Sequence, residues 1–457
     1  MRKNLHLNHI LILVLLMAVS AFAGDKKLPI TTQSEKALQH YQAARAALEA
    51  TNFGVIAGHL QSALQADPEF AFAWMLQSAT QQNPQALETL KKAHDLAQTD
   101  GEKRYIAATT TYRQGDIPGA IKQLEALLQD FPEDRGTWMF VGQLYQADNR
   151  IDEAVESFKT AMKLDDSTLR VYQLLSQAHI AKGENDKARK TLQNAEKIEG
   201  AEQAVFTGLG TLELMTDNYE AARKYYKKAA DMVDRDASPF LPFFGQAWSH
   251  LYEGKFEPAL AIVDDYMARY NRNGSAQGFP PVWIWNHKGR INMEFGKTDI
   301  ALRCYETGQK SINPAPEAAI DSVNKIVWNA RCEYGKARGL AKKGQFEQAW
   351  TTVNRIKKLI DGNPDEGNQY LQSHHYMAGY LLNEQGEYAK AIEHLKQANP
   401  ADPFHTLLLA RAYEASGDLN QAKAAYERIV NSRVNNVERA LSYPEAKKKL
   451  SMLSSSN

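Results

Sequence analysis

Cysteine is nearly missing from this chain: Cys304 and Cys332 are the two among its 457 residues. That excludes a disulfide-dense secreted scaffold. An excess of one charge is missing too, since 54 lysines and arginines face 54 aspartates and glutamates, and such a balance gives no support to bulk binding of nucleic acid or anionic membrane. No hydrophobic run reaches the roughly 20 residues that a membrane-spanning helix needs. Catalytic spacings are absent as well, with no G-x4-G-K-[ST], G-x-S-x-G, H-E-x-x-H or C-x-x-C in the sequence. Twelve histidines include the adjacent His374 and His375, but neighbours on a helix point about 100° apart and no histidine stands four residues from another, so the two-on-one-face chelate is not offered. No catalytic residue, cofactor or metal is therefore expected, and the chain reads as a non-enzyme.

At the N-terminus, Arg2 and Lys3 precede an apolar run from Ile10 to Val19 and then "AFAG". This is the pattern of a secretory signal peptide cut after Ala23, which leaves a mature chain beginning at Gly24. Without residues 1–23 the balance becomes 52 basic against 54 acidic residues. The expected location is periplasmic or secreted, with no transmembrane segment in the mature chain.

The strongest signal is a repeat. Ala86, Ala120, Ala154, Ala188 and Ala222 are spaced 34 residues apart, each in a helical pattern such as "EAVESFKTA" or "AARKYYKKA". Four residues later comes a large apolar residue, as in Leu90, Phe158, Leu192 and Tyr226. Twelve residues before the alanine a small residue recurs, at Ala108, Gly142, Ser176 and Gly210. Glycine inside a helix costs about 1 kcal/mol relative to alanine, so Gly142 needs a reason. Close approach of Ala154 across an antiparallel helix pair is the reason expected.

In Trp138, Val141, Gly142, Tyr145, Ala154, Phe158 and Ala161 the sequence resembles the tetratricopeptide repeat family, W-x2-L-G-x2-Y followed by A-x3-F-x2-A. Looser units continue through Ala259, Ala301, Ala349, Ala391 and Ala422. The resemblance implies an all-α fold, a right-handed α-solenoid of about eleven antiparallel helix pairs ending in a capping helix. The expected organisation is a signal peptide (1–23), a first array (24–236), a further unit with a Gly/Pro insertion (237–281), a second array (282–436), and a capping helix and tail (437–457). Insertions at Asn271 to Pro281 and Asn313 to Ala319 read equally as loops at a bend or as ordinary variation in repeat length. The last helix is expected from about Pro444 to Leu453, with Lys447, Lys448 and Lys449 on a solvated face. Cys304 and Cys332 fall on consecutive helices, where a disulfide and two buried thiols are both open.

Tetratricopeptide solenoids use the first helix of each unit to line a concave face, so the residue after each small one, and the residue four before it, should look into the groove. Early in the chain these positions are neutral, with Thr109, Met139, Gln143 and Gln177. Met139 and Gln143 stand where some family members carry the lysine and asparagine that clamp a C-terminal carboxylate. Later positions are aromatic and basic: Phe244, Trp248, Tyr252, Asn286, Arg290, Tyr334, Arg338, Tyr376, Tyr380 and Arg411. Arginine forks pair with carboxylates and aromatics supply contact area, so the expected function is a scaffold that holds a peptide or helical segment of a protein partner. Binding of a cell-wall glycan is the alternative, and a hydrolase a remote third. An aromatic stripe at i, i+4 and i+8 such as Phe244, Trp248 and Tyr252 equally suits a helix core.

Overall fold

Within a repeat the chain must reverse over three or four residues, and it does so through one residue in the left-handed region. Seven of these turns use glycine, from Gly115 (φ +91°) and Gly183 to Gly254, Gly296, Gly344, Gly386 and Gly417, because glycine carries no Cβ to clash there. Two others use Asn149 (φ 61°) and Asp217 (φ 62°).

The computed structural model describes residues 26–49, 55–81, 83, 85–232, 240–273, 281–312, 322–362 and 370–455. The signal peptide expected at residues 1–23, the insertion at 313–319 and most of that at 271–281 lie outside these residues. Among the described residues there are 23 α-helices and no strand, in two compact units divided at Lys182/Gly183. The first unit holds α1 (Glu35–Glu49), α2 (Ile56–Ala66), α3 (Ala71–Ser78), α4 (Gln85–Leu96), α5 (Asp100–Arg113), α6 (Ile117–Asp130), α7 (Arg135–Ala147), α8 (Ile151–Leu164) and α9 (Leu169–Lys182). In the second are α10 (Asn185–Asn194), α11 (Glu202–Met215), α12 (Tyr219–Asp231), α13 (Phe240–Leu251), α14 (Phe256–Asn273), α15 (Pro281–Glu294), α16 (Thr298–Lys310) and α17 (Ser322–Lys342). It continues with α18 (Phe346–Asp361), α19 (Leu371–Glu384), α20 (Tyr388–Leu395), α21 (Pro403–Ala415), α22 (Leu419–Asn431) and α23 (Val437–Ser455). Each unit is a solenoid in which successive helices pack on one another. Helix starts are fixed locally: Thr99 and Glu102 form a capping box at α5, the Asp134 carboxylate accepts from Thr137 N–H at α7, and Asp402 caps α21 with Pro403 at its first position.

The repeating alanine is the structural centre of each pair. Ala86, Ala120, Ala154, Ala188, Ala222, Ala259, Ala301, Ala349, Ala391 and Ala422 are all 0% exposed, so the alanine keeps its buried place in the looser units to 422 although the 34-residue spacing ends at 222. The reason for Gly142 differs from the one expected. A Cβ there would come 2.6 Å from Cε1 of Phe158, not against Ala154: the large residue one turn beyond the alanine lies over the glycine, and its ring takes the missing side chain's space.

The C-terminal helix also differs. It begins at Val437 and carries Pro444 in its interior, where the proline had read as a helix start. Two of its three consecutive lysines are not simply solvated, since Lys447 pairs with Asp217 and Lys449 with Glu414.

Cys304 and Cys332 are both buried free thiols. The Asn286 side-chain amide donates to Cys332 Sγ at 3.2 Å, and burial pushes the Cys332 thiol up to about 11. Neither is a ready thiolate at neutral pH. A neutral aromatic disulfide reagent is expected to label neither thiol in the native protein and both after denaturation; native labelling at the rate of an exposed thiol would contradict this burial.

Candidate partner-binding cavity of the second unit

The first helices of four successive pairs in the second unit face one cavity of about 480 Å³. Trp283, Asn286, His287 and Arg290 of α15 line it at i, i+3, i+4 and i+7, the spacing of one helix face. Trp328, Arg331, Tyr334 and Arg338 of α17 line it at i, i+3, i+6 and i+10, and α19 adds Ser373 and Tyr376. Tyr370, Asn399, Asp402 and His405 complete the far wall, with Val437 and Glu438 from the first turn of α23 on the near side.

Three guanidiniums thus meet two carboxylates. Arg338 is 5% exposed, and its Nη1 and Nη2 donate to the hydroxyls of Tyr376 and Tyr305, both at 2.8 Å. Arg290 is held less firmly. Its Nη1 lies 3.8 Å from Glu438 Oε1, its guanidinium sits 4.2 Å from the centre of the Phe404 ring, and its Nε and Nη2 are buried with no protein partner. Arg331 stacks 4.7 Å from the Trp328 ring at the exposed rim. Of the carboxylates, Asp402 is already committed to capping α21, accepting from Phe404 N–H at 2.7 Å. The cavity therefore presents uncompensated positive charge beside aromatic walls.

The two imidazoles do not add to that charge. Burial, with Arg290 acting in the same direction, lowers His287 to about 3. Burial likewise lowers His405 to about 4, against the opposing pull of Asp402. Both are neutral near pH 7, each with one buried ring nitrogen that lacks a protein partner, as does the Tyr334 hydroxyl. An unpaired buried polar group is costly, and here several such atoms converge on one space.

Of the ten residues expected in the groove, Asn286, Arg290, Tyr334, Arg338 and Tyr376 line this cavity. The others do not. Phe244, Trp248 and Tyr380 are 0%, 2% and 1% exposed and are core side chains. Tyr252 is 5% exposed, with its hydroxyl accepting from Arg439. Arg411 is held by Glu445 through hydrogen bonds of 2.9 and 2.6 Å. Trp283, Arg331 and Ser373 were missed, although each lies seven residues before a position that had been read, so the same stripe continued by two turns reaches them. Asn399, Asp402 and Glu438 come from a loop, a helix cap and α23, and carry no repeat signal. His375 faces His394 instead, Nδ1 to Nδ1 at 3.1 Å; among the described residues no group of three or more His, Cys, Asp or Glu is placed to share a metal ion. Among the described residues no helix is long and apolar enough to cross a membrane.

Residues 123–239 match the family model of the cytochrome c-type biogenesis protein H TPR domain, and residues 382–442 match a tetratricopeptide repeat model. Among solved structures, the chain is similar to one in the APC/C hetero-tetramer Cut9-Hcn1 at 13% identity and TM-score 0.39, over 91% of this chain and 76% of that one. A tetratricopeptide repeat protein from Parabacteroides merdae ATCC 43184 matches at 12% identity and TM-score 0.36, over 65% of this chain and 99% of its own. YrrB, a TPR protein with an unusual peptide-binding site, matches at 16% and 0.25, over 44% and 97%. With two family models matched and a buried alanine recurring in ten second helices from Ala86 to Ala422, this chain carries tetratricopeptide repeats, matched by family models over residues 123–239 and 382–442.

Proposed function

We propose that this protein is an exported, non-enzymatic scaffold whose second unit holds an acidic or C-terminal peptide segment of a partner protein. One observation carries the reading: Arg290 keeps Nε and Nη2 buried without a partner, next to the equally unpartnered Tyr334 hydroxyl, in a cavity of about 480 Å³. A carboxylate accepts from a guanidinium through two parallel hydrogen bonds, and one seated here would satisfy these donors together. The aromatic walls then supply stacking area for the flanking peptide. Export rests on the sequence from Arg2 to Ala23.

A glycan is the second reading, favoured by two indoles, Trp283 and Trp328, on the same walls as Asn286 and Asn399. A photoreactive residue replacing Tyr334, activated in intact cells, separates the two. The expected adduct is a discrete protein, lost about tenfold or more when Arg290→Glu is added, and not formed from position 143. A glycan adduct would transfer the function to sugars, and a protein adduct indifferent to Arg290→Glu would remove the arginine from the site.

A further inference from the structure

In a solenoid each repeat touches only its neighbours, yet α23 also reaches back to the start of its own unit. Asn435 donates to the Tyr226 hydroxyl at 3.2 Å, Arg439 to the Tyr252 hydroxyl at 2.7 Å, and Tyr443 and Lys447 both donate to Asp217 Oδ2, at 2.8 and 2.7 Å. Arg439, Tyr443 and Lys447 recur at i, i+4 and i+8, a single stripe of α23, with Asn435 in the segment just before the helix, and the last pair is 230 residues apart in sequence.

Toward α21 and α22 the helix is attached differently. Leu441, Leu450 and Leu453 pack against the apolar cluster that contains Leu407, Leu408, Ala425 and Ile429 of α21 and α22. Toward α21 and α22 the helix is thus held by apolar burial together with the Glu445–Arg411 and Lys449–Glu414 pairs, whereas toward the start of the unit it is held by the polar seam. Polar contacts give a small net return because water competes for the same groups, so the seam is the side that opens. Arg439 makes it more marginal. It is 1% exposed, makes no ion pair among the described residues, and has a buried Nε without a partner.

Asp217 shows that the seam is more than incidental contact. It occupies the left-handed turn position that seven other turns fill with glycine. An aspartate there carries a backbone cost that glycine avoids, and its carboxylate accepts from Tyr443, Lys447 and Tyr219. Asn149 fills the same position in another turn, so the backbone tolerates such a residue; what sets Asp217 apart is that its carboxylate gathers three donors, two of them from α23.

The seam residue Arg439 is preceded by Glu438, the carboxylate 3.8 Å from Arg290 in the cavity wall. We infer that α23 is a releasable strap: while its seam to Asp217 and Tyr252 is closed, Glu438 stands on Arg290 as a resident carboxylate, and an incoming anionic ligand competes with it. Linkage makes the effect reciprocal. A ligand that takes Arg290 loosens the seam, and an opened seam frees Arg290. The ligand half of this coupling rests on the function proposed above, whereas the strap is tested without any ligand.

The test is hydrogen exchange of the full chain at the amides from Val437 to Tyr443. Asp217→Gly removes the carboxylate while relieving the turn. Exchange at those amides should rise about tenfold, with α21 and α22 unchanged, because only the contacts of the seam are released. Asp217→Asn, which tolerates the same backbone, should give a smaller rise and guards against any other effect of glycine. Arg290→Met, which takes the cation from Glu438 as a bound anion would, should raise exchange at the same amides about threefold. If Asp217→Gly stabilises the unit and leaves α23 exchange unchanged, Asp217 is a turn residue and there is no strap. If Arg290→Met has no effect there, the coupling to the cavity is refuted. Loss of the Tyr334 adduct bears on the proposed function alone, since neither exchange result depends on it.

Discussion

Truncation of Phe244 to alanine is expected to lower the unfolding free energy of the second unit by about 3–5 kcal/mol, the range for a large aromatic removed from a core that cannot fully collapse. Its ring lies 4.7 Å from Phe240, 4.8 Å from Trp283, 5.0 Å from Tyr266 and 5.0 Å from His287, so the lost contacts come from three helices at once. Urea denaturation of the purified protein measures it. Phe244→Leu should recover more than half of the loss, because it refills most of the volume. A residue that anchored a partner would give the opposite pattern, with stability kept and binding lost. An unfolding free energy changed by less than about 1 kcal/mol in Phe244→Ala would return this side chain to the surface.

The reason Phe244 was ambiguous in the sequence is instructive. Spacing of i, i+4 and i+8 places Phe244, Trp248 and Tyr252 on one face of α13, but periodicity alone does not say what that face meets. What it meets is α15, through Trp283 and His287, a tertiary fact. A local clue existed: "FLPFFGQAW" is apolar on nearly every side, and a helix apolar all round is buried. The alanine register was more legible because both of its causes are local and repeated, namely a 34-residue period and a small side chain at each closest approach. Prolines and insertions obscured the rest. Pro444 read as a helix start because that is its commonest helical place, whereas the apolar anchorage of Leu441, Leu450 and Leu453 carries α23 through it. The partners of α23 lie up to 230 residues away, and no periodicity encodes such a contact. Arg411 belongs to the same difficulty: it is expected to look into the groove, but Glu445 of α23 already pairs with it.

The two arginines deepest in the cavity should respond oppositely to removal. Arg338→Ala is expected to cost about 3–5 kcal/mol, because it strands two buried phenols, Tyr305 and Tyr376, and leaves the volume of a guanidinium empty. Tyr305 is also the ring over Gly289, where a Cβ would come within 2.7 Å of it, so Arg338 fixes the side chain that spaces α15 from α16. Arg338→Met refills part of the volume and should recover about half of the loss. Arg290→Ala, by contrast, breaks one 3.8 Å ion pair and no hydrogen bond, and it relieves a buried charge that nothing in the unit fully neutralises. Its stability should stay within about 1 kcal/mol of the parent, while capture at position 334 is lost. Chemical denaturation of the two variants side by side decides the matter: equal losses would mean that Arg290 is as structural as Arg338 and that its unsatisfied donors are not reserved for a ligand. An Arg290 deleted without loss of stability, half-neutralised as it is beside Trp283 and Tyr334, would have its physical justification in a ligand, as proposed above.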